Sequence, residues 1–196
     1  MPEDRPREPD LSFVDRLPLT RDAIEFATER HSGQRRAGDE APYVLHPIEV
    51  AAILERSRYP DHVVAAAVLH DVLEDTDAGR TELEARFGRE VADLVAMVSD
   101  DPSIEGREAR KDEVRERVRQ AGGYAPAVYA ADKISKVREL RTMLARGIRD
   151  EEVEAKRERY RKSLGMLEQA IPGSRLVALL RFELEALESL PPGTEP

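Results

Sequence analysis

Val63 to Thr76 reads VVAAAVLHDVLEDT, a run of small and branched apolar residues into which His70 and Asp71 are set side by side. Glu74 follows His70 by four residues and Asp75 follows Asp71 by four. At about 3.6 residues per helical turn, each acidic residue stands one turn beyond a potential metal ligand, and all four share one flank. Isolated ionisable groups are costly to bury, and paired ones are compensated by partners or by a metal. A cluster beside AAAVL therefore points to chemistry rather than to packing.

Outward from this stretch the chain reads as helices. Upstream, Leu19 to Arg30 carries Ala23, Phe26, Ala27 and Arg30 at helical spacing, with Ile24 widening the face and Thr20 or Asp22 as its cap. The polar loop HSGQRRAGDEAP ends it and brings two basic residues, Arg35 and Arg36. In YVLHPIEVAAILERS, Pro47 suits the first turn of a helix whose stripe is Ile48, Ala51, Ala52 and Leu54, and His46 stands just before it. Asp61 is placed to cap the central helix.

Downstream, Thr81 to Glu84 makes a capping-box pattern for a helix carrying Leu83, Phe87, Val91, Leu94, Val95 and Val98, and Gly88 predicts a kink or break within it. Arg107 to Gln120 is almost wholly charged, with Ala109, Val114 and Val118 as its apolar residues, as a surface helix or lid would be. Gly122 and Gly123 end it. After Pro126 the stretch AVYAADKISKVRELRTML restores a broad buried face of Val128, Ala131, Ile134, Val137, Leu140 and Leu144, with Asp132 beside it. Glu151 to Ala170 and Ser174 to about Leu190 complete the pattern, which contains no convincing strand, repeat or heptad array. The expectation is an all-α fold, one helical domain of about seven to eight helices over residues 11–190, with a disordered lead at 1–10 and a disordered tail at 191–196.

Composition bounds the function. A chain of 196 residues can bury one sizeable core. No apolar run approaches the roughly 18 residues that span a bilayer, and MPEDRPREPD is acidic where a signal peptide is basic, so a cytoplasmic protein is expected. With no cysteine, any metal must be held by His and carboxylate. The net charge of −9 disfavours nucleic acid and acidic membranes as partners, while a local basic pocket can still attract a phosphorylated small molecule. The oligomeric state is left open.

His46, His70, Asp71 and Asp132 offer two imidazoles and two carboxylates from three helices, a set suited to Mn²⁺, Fe²⁺, Zn²⁺ or Mg²⁺. Such an ion lowers the pKa of bound water and polarises a phosphoryl oxygen, while Glu74 or Asp75 orients the water or takes its proton.

HSGQRR, PYVLHPIEVA, VLHDVLEDT with the following FGREVADLV, and ADKISKVREL together resemble the HD superfamily of metal-dependent phosphohydrolases. The resemblance is closer to the hydrolase domain of the RelA/SpoT alarmone family and its stand-alone small hydrolases, and runs from about Ala23 to Leu144. It implies one Mn²⁺ held by His46, His70, Asp71 and Asp132, with Glu74 and Asp75 acting on the nucleophilic water. It also implies removal of pyrophosphate from the 3′ position of guanosine tetra- or pentaphosphate, giving GDP or GTP, with Arg35 and Arg36 beside the nucleotide. Lys156 and Tyr160, four residues apart, match the basic and aromatic residues that close the family's pocket. Only Ala145 to Pro196 follows, too short for a synthetase domain, so the resemblance implies a hydrolase alone.

The chain departs from that family in three places. AGDEA between Arg36 and Pro42 is about two residues longer than usual, Lys136 stands where the family typically has Asn, and Glu139 where it often has Thr. Asp132, Lys136 and Glu139 share one helical flank, where Lys136 can hold a phosphate and Glu139 can repel one or neutralise the lysine. Three readings follow: the alarmone hydrolase, an HD phosphohydrolase acting on another phosphorylated nucleotide, and a non-catalytic nucleotide-binding sensor. The intact ligand set with Glu74 and Asp75 argues against the last.

Overall fold

Residues 11–36, 40–148 and 152–190 are described by a computed structural model of the chain, so the expected disordered lead and tail lie outside the described residues. After a 3₁₀ turn at Ser12–Arg16 come α1 (Pro18–Arg30), α2 (Leu45–Arg56), α3 (Asp61–Leu69), α4 (Val72–Asp75) and α5 (Arg80–Phe87). They are followed by α6 (Arg89–Val98), α7 (Arg107–Ala121), α8 (Ala125–Ala145), α9 (Val153–Ala170) and α10 (Arg175–Glu188). No strand occurs among the described residues, where one isolated bridge pairs Arg35 with Pro42. The fold is all-α, as expected.

Among the described residues ten α-helices stand where about seven to eight were expected, because two expected helices are each divided. One division is at Gly88, whose φ of 86° and ψ of 162° belong to a region that glycine alone occupies without strain, so α5 and α6 meet at an angle there. The other corrects the reading of Val63–Thr76 as one helix. The Ala67 carbonyl, which would accept the next helical N–H, instead accepts from His70 Nδ1 at 2.7 Å, and α3 stops at Leu69. His70 and Asp71 become the corner between α3 and α4.

Three capping assignments are also corrected. Asp61 does not cap its own helix: its carboxylate accepts from Leu19 N at 3.0 Å, Thr20 N at 2.9 Å and Thr20 Oγ1 at 2.6 Å, and so caps α1. Thr20 and Asp22 therefore sit within α1 rather than before it, and Pro18 opens it. Thr81 lies inside α5, whose N-cap is Gly79, and no side chain caps that end.

Helix α3 is buried on every side from Val63 to Leu69. Its alanines let α1, α2 and α6 approach closely, and each of its fully buried valines and leucines contributes about 1.5–3 kcal/mol of transfer energy. Helix α8 packs against α10, α2 and α9 and buries Val128, Ala131, Ile134, Val137 and Leu140. One apolar cluster runs from Phe13 to Leu187, and α3 and α8 lie side by side within it. Helix α7 joins it through Val114 and Val118, whereas Ala109 is exposed.

Candidate active site

Three segments carry polar groups into this core. His46 is the second residue of α2, inside the first turn rather than before it, and is 2% exposed. The α3–α4 corner carries His70 and Asp71, each 4% exposed, and the buried face of α8 carries Asp132, 5% exposed. Their atoms converge. His46 Nε2 and His70 Nε2 are 3.3 Å apart. Asp71 Oδ2 lies 3.5 Å from the first and 3.0 Å from the second, and Asp132 Oδ1 lies 3.2 and 3.4 Å from them. Donors bound to one ion at about 2.1 Å stand about 3.0–3.4 Å apart, so the spacing suits a single cation.

The outer contacts fix which nitrogens face inward. His70 Nδ1 donates to Ala67 O, which leaves Nε2 facing the cluster. Ser135 Oγ donates to Glu49 Oε2 at 2.8 Å, so it accepts from His46 Nδ1 at 2.9 Å, and the Nε2 lone pair of that ring faces the same point. Tyr43 Oη donates to Asp71 Oδ2 at 2.6 Å. These are the carboxylate, carbonyl and hydroxyl supports that orient metal-binding side chains.

Such an arrangement demands positive charge. Burial opposes ionisation of Asp71, yet His70 and Lys136 hold its carboxyl well below the ordinary range; Lys133 and Lys136 do the same for Asp132. Burial lowers His46, whereas in His70 it is outweighed by Asp71 and Asp132, which push the imidazole up to about 10. A divalent ion would displace that imidazole's proton and free its Nε2 lone pair for binding. Asp132 Oδ1 is buried and accepts no well-aligned hydrogen bond, although Lys136 Nζ is 2.9 Å away. Two lone-pair nitrogens, two carboxylate oxygens and an orphaned acceptor fit a divalent metal.

Glu74 lines the narrow cleft over this cluster and accepts from Asp100 N at 2.7 Å. The surrounding protein, with Asp71 adding to it, raises its carboxyl above the ordinary value. Asp75 lines neither the cleft nor the larger cavity beside it; its carbonyl accepts from Gln34 Nε2 at 2.7 Å, and its charge acts on the Tyr43 hydroxyl. The two acidic residues expected to act as a pair are thus placed differently.

The larger cavity, about 470 Å³, opens beside the cleft, and Lys111, Tyr129, Lys133 and Lys136 line both. Arg35, Arg36, Lys136, Glu139, Lys156 and Tyr160, six residues separated by more than a hundred positions of sequence, all lie on its wall. Helix α7 adds Arg107, Lys111 and Arg115 at successive four-residue steps, and α9 adds Arg159. Among the described residues, Glu139 is the one carboxylate in a wall otherwise rich in cations. Most of the longer stretch before Pro42, residues 37–39, lies outside the described residues; Arg36 N donates to Ala41 O at 2.9 Å, and both arginines lie on the cavity.

Residue-by-residue reading overlooked Tyr43, Lys133, Arg115 and Lys111. Tyr43 had a signal in its place three residues before His46, one turn away once α2 begins at Leu45. The basic face of α7 had one too, in the spacing of Arg107, Lys111 and Arg115, but it was masked by charges on every other face.

Comparison with known proteins places this geometry in context. A model of the HD domain matches residues 23–153. The chain is 40% identical over 122 residues to guanosine-3′,5′-bis(diphosphate) 3′-pyrophosphohydrolase MESH1 of Danio rerio, covering 61% of this chain and 67% of that protein. The Homo sapiens protein of the same name is 38% identical, over 61% of this chain and 68% of its own. A solved structure of a metazoan orthologue of SpoT, described as hydrolysing ppGpp, superposes with a TM-score of 0.76 at 30% identity, covering 91% of this chain and 97% of that one.

Proposed function

This chain belongs to the HD-domain family, and we propose that it is a metal-dependent hydrolase that removes the 3′-pyrophosphate from guanosine tetra- or pentaphosphate, releasing GDP or GTP. The observation that carries the reading is the continuity of the four-ligand cluster with a basic cavity large enough for a nucleotide. A concave wall dense in lysines and arginines, on a protein of net charge −9, suits a small polyanion.

In this reading His46, His70, Asp71 and Asp132 hold the ion, which we take to be Mn²⁺, a metal that mixed nitrogen and oxygen ligands accommodate. When bound it supplies Lewis acidity toward the phosphoryl group and lowers the pKa of water. Tyr43 and Ser135 keep Asp71 and His46 aimed. Glu74, made more basic by its surroundings, takes the proton of the attacking water, with Asp75 assigned a supporting charge from outside the cleft. The oxygen of that water bonds to the phosphorus on the ribose 3′ oxygen; the P–O bond breaks, the ribose keeps its oxygen as a hydroxyl, and pyrophosphate departs. Lys111, Lys133 and Lys136 meet the 3′ phosphates where cleft and cavity join. Arg35, Arg36, Lys156 and Tyr160 hold the rest of the nucleotide. We take residues 11–190 as the catalytic domain and the cytoplasm, where nucleotides are turned over, as its location.

Glu139 on the cavity wall favours a second reading, in which the substrate is another phosphorylated nucleotide with fewer charges at that end. The deciding experiment is turnover of guanosine tetraphosphate by the purified protein with Mn²⁺, with and without EDTA, resolving GDP and pyrophosphate. EDTA-sensitive release of both is the expected result. Absence of turnover with Mn²⁺ bound would overturn the alarmone assignment and favour the second reading.

A further inference from the structure

Asp132 divides its two oxygens between two lysines. Its Oδ2 takes the Lys133 ammonium at 2.6 Å, and its Oδ1 lies 2.9 Å from that of Lys136. The lysines differ in their surroundings. The Lys133 side chain is 11% exposed and its ammonium rests over the Tyr129 ring at 4.3 Å, enclosed on both sides. Both lysines line the cleft and the basic cavity, but the Lys136 side chain is 32% exposed and so the more open to them. One lysine is fixed and the other has somewhere to go.

The oxygen that Lys136 approaches is also the one that His46 Nε2 and His70 Nε2 face, at 3.2 and 3.4 Å. A cation held by both imidazoles and by Asp132 through that oxygen would stand next to the Lys136 ammonium, 2.9 Å from the same oxygen. It also repels the ammonium, which lies 3.9 Å from Asp71 Oδ1 as well, in a setting where water screens weakly. Asp132 Oδ2, with Lys133 on it, is untouched by that exchange.

Building on the metal-centre reading above, we propose that Lys136 is a displaceable counter-ion: it neutralises Asp71 and Asp132 when the centre is metal-free, and a divalent cation drives it off Asp132 into the basic cavity. Metal loading then delivers a freed ammonium to the anion-binding wall. Metal and anion binding are coupled through this side chain, and the coupling is reciprocal.

The test needs no turnover. Metal-stripped wild type, Lys136→Met and Lys136→Gln are titrated with Mn²⁺, with free ion followed by electron paramagnetic resonance. Removing the internal competitor tightens Mn²⁺ binding about tenfold or more in both variants. Equal or weaker binding in both overturns the counter-ion role while leaving the metal centre standing; no binding by any of the three overturns the centre and the proposal together. Amine labelling of the wild type, read by mass spectrometry, tests the displacement without substitution. Mn²⁺ should raise labelling of Lys136 severalfold and leave Lys133 unchanged, and an unchanged Lys136 overturns the proposal.

Discussion

Tyr43 Oη donates to Asp71 Oδ2 at 2.6 Å across 28 positions of sequence, and the same oxygen lies 3.0 Å from His70 Nε2. The phenol therefore supports a ligand at the atom that faces the ion. Tyr43→Phe keeps the ring, which lies 5.0 Å from that of His31, and removes a hydrogen bond to a carboxylate worth about 1.5–3 kcal/mol. Mn²⁺ affinity should fall by roughly tenfold to a hundredfold on that scale, measured by titration of the metal-stripped protein. Unchanged affinity would remove Tyr43 from the centre.

Glu74→Gln separates chemistry from metal binding. The amide cannot accept a proton, so turnover should drop about 10²–10⁴-fold while bound metal, quantified by mass spectrometry, stays at the wild-type level. In the wild type the acid limb of the rate profile should fall above the ordinary glutamate range, because the raised carboxyl must be ionised to act. Stability moves the other way. A carboxyl raised by folding destabilises the native state above its raised pKa, and that penalty disappears as pH falls below the ordinary value. Glu74→Gln should accordingly melt slightly higher than wild type at pH 7.5, and a lower melting temperature would contradict the assignment.

Behind His46 stands a chain of hydrogen bonds in which Ser135 Oγ accepts from His46 Nδ1 and donates to Glu49 Oε2, with Arg138 3.3 Å from Glu49 Oε1. Ser135→Ala and Glu49→Gln should each weaken metal binding by about 10–100-fold without touching a ligand. Full retention of Mn²⁺ by both would show that His46 needs no such support.

On the cavity wall, Arg36→Ala and Lys156→Ala remove charge away from the four ligands. Each should raise KM for the nucleotide about tenfold with kcat little changed, the signature of lost ground-state and transition-state binding alike. A selective fall in kcat would place either residue in the chemistry instead.

Asp61→Ala deletes the cap that α3 lends to α1. The loss of these bonds should cost about 2 kcal/mol and lower the melting temperature by roughly 4–8 °C. Asp61 sits at the opposite end of α3 from His70, about 13 Å along the axis, so the folded variant should retain its metal.

The polar cluster was legible in the sequence because helical spacing alone sets His70, Asp71 and Glu74 within a turn of one another, and the break at Gly88 because only glycine takes that backbone. The corner at His70 was not. It depends on an imidazole taking a carbonyl from its own helix, a competition that spacing cannot weigh against the helical bond. Asp61 misled for a related reason: a carboxylate at a helix start can cap its own helix or a neighbour's, and the outcome is decided by where α1 lies. The basic face of α7 remained hidden because periodicity detects apolar stripes, and this helix buries Arg115 between Val114 and Val118. Asp75 shows the limit of a four-residue rule once the helix has ended, since the turn from Asp71 to Asp75 no longer continues the flank of α3.

The segregation of charge in this molecule also acts before any contact is made. Its acidic exterior repels long polyanions such as RNA, which present charge over a wide front, while the concave cluster of lysines and arginines draws in a compact anion that can enter it. The field is a size filter. A long polymer meets the net negative charge of the whole molecule first, whereas a free nucleotide is small enough to reach the basic wall.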